Sequence, residues 1–193
     1  MIPDYLSDLK LQEVFKPFCN DVGTFIQESD ADQHIVDSSS LKISGFVTPS
    51  FGQTEELSQK YFAVENRRGN KFALLQIDNG IIKSRALKKC DCAIANDEEL
   101  CLVEFKANAS SNIVLTIQKN YEKAIAQLKN TLDIFNGYYS SQDESLTAKR
   151  RVEAHVCFKQ GYPRHTSTQM NYQVKFAQDT GIPLLFDRKK LLI

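Results

Sequence analysis

The chain of 193 residues lacks any run of about 18 consecutive apolar residues, so no transmembrane span is expected. Its first fifteen residues, MIPDYLSDLKLQEVF, have neither a basic n-region nor a long apolar core, and so do not read as a secretory signal. An excess of either charge is missing too: 24 basic residues balance 24 acidic ones. A protein that neutralises many phosphates usually carries a basic patch, so any such patch here must be local. The candidates are Arg67-Arg68, Arg85/Lys88/Lys89, Lys149-Arg150-Arg151 and Arg188-Lys189-Lys190. Internal repeats, phosphate-binding glycine loops, dinucleotide fingerprints and paired CxxC motifs are all absent. The five cysteines form no regular framework, and an odd number cannot all pair. They read as free thiols of a reducing cytoplasm. A zinc site from Cys90, Cys92 and Cys101 lacks a fourth ligand at sensible spacing.

What remains is an ordinary globular composition, 42% hydrophobic and 25% charged, of a size for one domain with a small N-terminal appendage. Residues 4–16 are loosely helical and end at Pro17. Residues 18–53 read mostly as loop, with a helical or extended piece around Val22–Gln27 and a break at Ser38–Ser40. Thr54-Glu55-Glu56-Leu57 predicts a helix start with Thr54 as N-cap, the apolar stripe Leu57, Tyr61, Val64, and a stop near Asn66–Gly69. Phe72–Asp78 and Ile81–Ser84 flank Asn79-Gly80, a two-residue hairpin signal. Ser111–Phe135 predicts a long helix from the spacing of Val114, Ile117, Tyr121, Ala124, Ile125, Leu128, Leu132 and Phe135, ended by Gly137. Val152–Phe158 then reads as a strand parallel to 100–106, Thr166–Thr180 as a helix, and Ile182–Phe186 as another short parallel strand. His155 and His165 have no arranged nucleophile and read as structural or surface residues.

The stretch CDCAIANDEELCLVEFKA, Cys90 to Ala107, carries the chemistry. Two apolar runs flank Asn96-Asp97-Glu98-Glu99, which predicts a β-hairpin. With the turn centred between Asp97 and Glu98, Cys92 faces Val103 and Asp91 faces Glu104. Side chains alternate along a strand, so Asp91, Glu104 and Lys106 share one face while Cys90, Cys92, Cys101, Val103 and Phe105 share the other. Opposed residues stand roughly 5 Å apart and like charges there destabilise a sheet. A divalent cation bridging Asp91 and Glu104 would offset that cost, with Lys106 beside it. An internal carboxylate–lysine ion pair would also offset it. The preceding Arg85, Lys88 and Lys89 place basic side chains beside the same point, suited to a phosphate backbone.

Asp91, a spacer of twelve residues, then Glu104-Phe105-Lys106 ending an apolar strand resembles the PD-(D/E)XK nuclease superfamily. The resemblance spans Thr54 to Asp187 in element order, with matching residues confined to the hairpin. Cys90 stands where a proline often precedes the aspartate. The resemblance implies an α/β fold: a mixed central β-sheet flanked by helices, a restriction-endonuclease-like core over residues 54–193 with a C-terminal helix–strand extension, preceded by an N-terminal extension of helix and loop over 1–53. It further implies a Mg²⁺- or Mn²⁺-dependent nuclease in which Asp91, Glu104 and the Phe105 carbonyl hold the metal and Lys106 assists the attacking water. Gln127, Lys88 and Lys89 would contact substrate, and one of Glu55, Glu56 and Glu65 would join the site from the preceding helix. The expected partner is a nucleic acid, with a homodimer or a protein partner as a further candidate. The alternative is a non-catalytic binding or interaction module on the same fold, which the neutral net charge favours.

Overall fold

The structure is a computed structural model, and it describes residues 1–38, 43–47, 61–106, 109, 113–159 and 166–192. Three layers are stacked: helices, a six-stranded sheet and a four-stranded sheet. The large sheet has the order β1 (Ile26–Ser29), β5 (Phe72–Gln76), β6 (Cys92–Ala95), β7 (Glu99–Lys106), β8 (Arg151–Phe158), β9 (Leu184–Leu185). It is mixed: β1, β5, β6 and β7 are antiparallel neighbours, whereas β7, β8 and β9 run parallel. The small sheet has the order β10 (Lys189–Leu192), β4 (Tyr61–Asn66), β2 (Gln33–Ser38), β3 (Ile43–Val47). No helix among the described residues is long and apolar enough to cross a membrane.

Strand β7 explains the layering. Its run LCLVEF is apolar at nearly every position, the pattern of a strand covered on both faces, and all its residues but Lys106 are buried. Leu100 and Leu102 point into the core under the helices; Cys101, Val103 and Phe105 point into the core between the sheets. The helical layer is dominated by α2 (Val114–Ser140), whose buried residues Ile117, Tyr121, Ala124, Leu128, Leu132, Phe135 and Tyr139 recur at three- and four-residue steps. The helix runs past Gly137 because Tyr139 continues the buried stripe. The short α1 (Leu11–Val14) and the 3₁₀ turn Asp4–Leu9 close the same core, with Phe15 edge-on to Phe135 at 5.2 Å. Helix α3 (Leu146–Lys149) leads into β8, and α4 (Thr166–Thr180) covers β9.

Several sequence expectations are corrected. Residues 61–66 are strand β4, not helix: Phe62, Val64 and Asn66 are buried in strict alternation, and this period of two overrides the weaker Tyr61/Val64 stripe. The expected helix start at Thr54, with Glu55 and Glu56, lies outside the described residues. Residues 18–53, expected to be mostly loop, supply β1, β2 and β3. The expected boundary between 53 and 54 is crossed by both sheets, since β1 pairs with β5 and β2 with β4. Ile81–Ser84 is not a hairpin strand. Ile81 and Ile82 are fully buried, and only an isolated bridge joins Asp78 and Ile82. The Arg188-Lys189-Lys190 patch opens an unforeseen strand, β10. The parallel β7–β8 pair and α4 are as expected; the long helix is present but continues to Ser140, past the expected stop at Gly137, and Val114 of its expected stripe is exposed.

The turn after β5 is tight. Asn79 adopts φ +58°, in the left-handed region that asparagine tolerates, and the Ile81 N–H donates to the Gln76 carbonyl at 2.9 Å. A Cβ on Gly80 would stand 2.2 Å from that same carbonyl oxygen, whereas one on Gly137, inside α2, would meet nothing within 4 Å. Gly80→Ala should therefore destabilise the fold by roughly 2 kcal/mol or more, and Gly137→Ala should stabilise it by about 0.5–1 kcal/mol. Urea unfolding midpoints check both; a neutral Gly80→Ala would contradict the turn geometry.

Candidate functional site

The β6–β7 hairpin has the register read from sequence: Cys92 pairs with Val103 and Ala95 with Leu100. Asp91 lies one residue before β6 and is held from three sides. Its carbonyl accepts the N–H groups of Ile77 (3.1 Å) and Asp78 (3.0 Å), and its Oδ2 accepts the Phe105 N–H at 2.6 Å. Helix α2 grips the two preceding residues through side chains one turn apart. Thr131 Oγ1 accepts the Cys90 N–H at 2.9 Å, and Gln127 Nε2 donates to the Lys89 carbonyl at 2.9 Å. The same Gln127 presents Oε1 to Lys106 Nζ at 2.9 Å, and Lys106 also bonds Glu104 Oε1. Asp91, Glu104, Lys106 and Gln127, each singled out from sequence, thus meet at one place, and Phe105 links them through its backbone.

Burial governs the electrostatics. Glu104 is 1% exposed and Asp91 8%. Burial pushes the Asp91 carboxyl up to about 7; the neighbouring Asp37 adds to this, and the Phe105 N–H and Lys106 oppose it. Glu104 is held well above the carboxylate range by burial and then by Asp91, against Lys106. Asp37, on β2, is raised by burial and by Asp78, with Lys106 opposing. Register brings Asp37 here from the small sheet. It pairs with Ser44 on β3, whose carbonyl accepts Gln76 Nε2 at 2.7 Å, and Gln76 pairs with Cys92 beside Asp91.

Asp37 and Asp78 are site residues that sequence reasoning missed. Nothing local marks Asp37, which lies some fifty residues from Asp91 in a stretch read as loop; Asp78 was read only as a turn-flanking residue. Four carboxylates (Asp37, Asp78, Asp91, Glu104) face two ammonium groups, Lys106 and Lys89, the latter 2.8 Å from Asp78. When all are ionised, two negative charges remain uncompensated, the deficit a divalent cation would fill. A second observation fits such an ion: Glu104 Oε2 is buried without a hydrogen-bond partner among the described residues. The donor set is all oxygen, which suits Mg²⁺ or Mn²⁺.

Beside the acids lies an open cleft of about 400 Å³, lined by Arg85, Lys88, Lys89 and Lys123 and by Asp78 and Gln127 of the cluster itself. It is the one sequence-derived basic patch that adjoins the acids. Most residues of the others are committed elsewhere. Arg150 is buried on Asp8, the Tyr5 carbonyl and the Asn96 carbonyl. Arg151 pairs with Glu99, Arg67 with Glu65, and Arg188 stacks over Tyr61. Glu65 is not part of the cluster: it faces Lys189 (2.5 Å) and Arg67 on the small sheet. Glu55 and Glu56 lie outside the described residues. Lys89 spends its ammonium on Asp78 and the Ser84 carbonyl, so Lys88 is the freer of the two lysines proposed for substrate.

The cysteine trio does not converge as expected. Cys92 and Cys101 face the inter-sheet core, but Cys90, just outside the strand, turns under the helices. Of the two readings given for His155, structural or surface, the structure shows the first: the residue is 1% exposed. It is buried against Cys101, Glu153 and Asp187 on the inter-sheet face of β8. Alternation along β8 set it on the face opposite Ala154 and Val156 without deciding its burial; its partners on β7 and beyond β9 required the register. His165 lies outside the described residues.

The raised pKa values fix a sign. A carboxyl with a folded pKa above its unfolded value stabilises the fold in its protonated form. That contribution is full below about pH 4 and, for Asp91, is lost as pH rises through about 7. Asp91→Asn keeps an oxygen for the Phe105 N–H but does not titrate. In the presence of chelator, the unfolding free energy of wild type relative to Asp91→Asn should fall by roughly 2–4 kcal/mol between about pH 4.5 and about pH 8. Parallel pH profiles would contradict the electrostatics described. Comparison with known proteins leaves this geometry to speak for itself: no family model, no curated protein and no solved structure matches the chain.

Proposed function

We propose that the chain is a Mg²⁺-dependent phosphodiesterase of the PD-(D/E)XK type that cleaves DNA or RNA, built on a restriction-endonuclease-like core. The observation that carries this reading is the buried Glu104 carboxylate, with one oxygen on Lys106 and the other without a hydrogen-bond partner among the described residues, beside Asp91 and a basic cleft. Natural folds rarely leave a buried carboxylate oxygen unsatisfied at no gain. The order of β5, β6, β7, α2 and β8, with β7 and β8 parallel, supports the same reading.

In this reading Asp91 and Glu104, with the Phe105 carbonyl, hold the ion, and Asp37 adds a carboxylate from the small sheet. The bound cation supplies Lewis-acid polarisation of a phosphoryl oxygen and a lowered pKa for water. Lys106, steadied by Gln127, orients the attacking water and stabilises negative charge developing on phosphorus-bound oxygens. Arg85, Lys88 and Lys123 hold neighbouring phosphates in the cleft. The basic footprint stays local, so the affinity it supports is modest and falls with salt.

A second reading rests on the Lys106–Glu104 pair itself. An ammonium already seated on the acid is also what a binding module without catalysis would hold. Labelled single-stranded DNA, duplex DNA and RNA, incubated with Mg²⁺, Mn²⁺ or chelator, separate the two. The nuclease reading expects metal-dependent cleavage that Asp91→Asn and Glu104→Gln abolish and Lys106→Met lowers by roughly 10²–10³-fold, each with unchanged circular dichroism. Binding without cleavage of any of the three would favour the module. Cleavage untouched by Glu104→Gln would remove this cluster from the chemistry.

A further inference from the structure

On the opposite face of β7 from Glu104 lies a second cluster with a different donor set. The parallel register sets Cys101 beside Glu153 and Val103 beside His155, so alternation turns Cys101, Glu153 and His155 together toward the small sheet. One ligand atom from each, a sulfur, an oxygen and a nitrogen, lies within 4.8 Å of the other two. His155 Nε2 is 2.9 Å from Glu153 Oε1, and His155 Nδ1 bonds the Asp187 carboxylate. Three charged side chains complete the surroundings. Lys190 joins Glu153 (2.8 Å) to Glu99 (2.5 Å), and Arg151 pairs with Glu99.

We propose that Cys101, Glu153 and His155 form a site for zinc or a divalent transition metal of similar softness, distinct from the oxygen-only cluster around Asp91. Thiolate, imidazole and carboxylate are the three ligand types that such ions take, and they fill three of four tetrahedral positions. Mg²⁺ has no use for the sulfur. Asp187 has the supporting part: a carboxylate on the far nitrogen fixes which ring nitrogen is free to ligate and raises its basicity. All three ligands stand on adjacent paired strands, so the site is assembled by the fold and needs no rearranged loop.

Arg151 and Lys190 stand beside the acids of the site, Arg151 on Glu99 and Lys190 on both Glu99 and Glu153. Lys190 therefore keeps a partner in Glu99 when Glu153 turns to the ion.

The test uses the purified full chain, freed of metal by chelator and dialysis, then titrated with Co²⁺. The thiolate-to-cobalt charge-transfer absorption should saturate at one equivalent, any Co²⁺ at the oxygen-only cluster adding nothing to it, and Zn²⁺ should bleach it. Cys101→Ser and, independently, His155→Gln should abolish the band and weaken Zn²⁺ binding at least about tenfold; Glu104→Gln should leave both unchanged. If either variant misfolds, the wild-type spectrum still decides. A chain that takes up no Co²⁺, or binds it without the charge-transfer band, overturns the proposal. So does a band that survives Cys101→Ser. Loss of nuclease activity in Glu104→Gln with this band intact would show the two sites to be independent.

Discussion

A strand buried on both faces yet carrying a carboxylate is the constraint on which the rest depends. Strand β7 sits in the middle of three layers and has no solvent face to offer Glu104. An ionised carboxylate there is tenable only with partners. The chain supplies Lys106 for one oxygen, and Gln127 to fix Lys106. Asp91, raised to about 7 chiefly by burial, sits beside it and makes the problem worse. Such an arrangement costs the fold stability while it holds acidic oxygens close together, and perturbed carboxylates of this kind cluster at functional sites.

The distribution of positive charge supports the same view. A net charge of zero hides two populations of basic residues. Arg150, Arg151 and Lys190 are internal or interfacial struts: Arg150 ties the N-terminal turn to β8, while Arg151 and Lys190 lock Glu99 between the sheets. Arg85, Lys88 and Lys123 line a cleft that opens on the acids. Only the second population lines an open cleft, so net charge understates the basic character of that one surface.

What was legible in the sequence follows from how locally each feature is encoded. The hairpin register came from its turn, and with it the meeting of Asp91, Glu104 and Lys106. Gln127 was legible because α2 has a long, regular apolar stripe that fixes which residues flank it. The helix misread at 61–66 shows the opposite case, where a short segment fits two periods and burial on the small sheet decides between them. Asp37 could not be found, since it reaches the site through a chain of pairings across two sheets, β2 to β3 and Gln76 to Ser44. Cys101 reads from sequence as facing a core, and His155 as a structural or surface residue on its own strand. Their meeting depended on the parallel stagger of β7 against β8, which no local pattern records.

The central claim is that Asp91 and Glu104 are kept close, buried and short of positive charge in order to hold a divalent cation. Crystals soaked in Mn²⁺ and measured near the manganese edge test it most directly. The account predicts an anomalous peak within coordination distance of both carboxylates, with Lys106 drawn off Glu104 Oε1. Clear density for both side chains with no peak between them, and Lys106 still seated on Glu104, would contradict it.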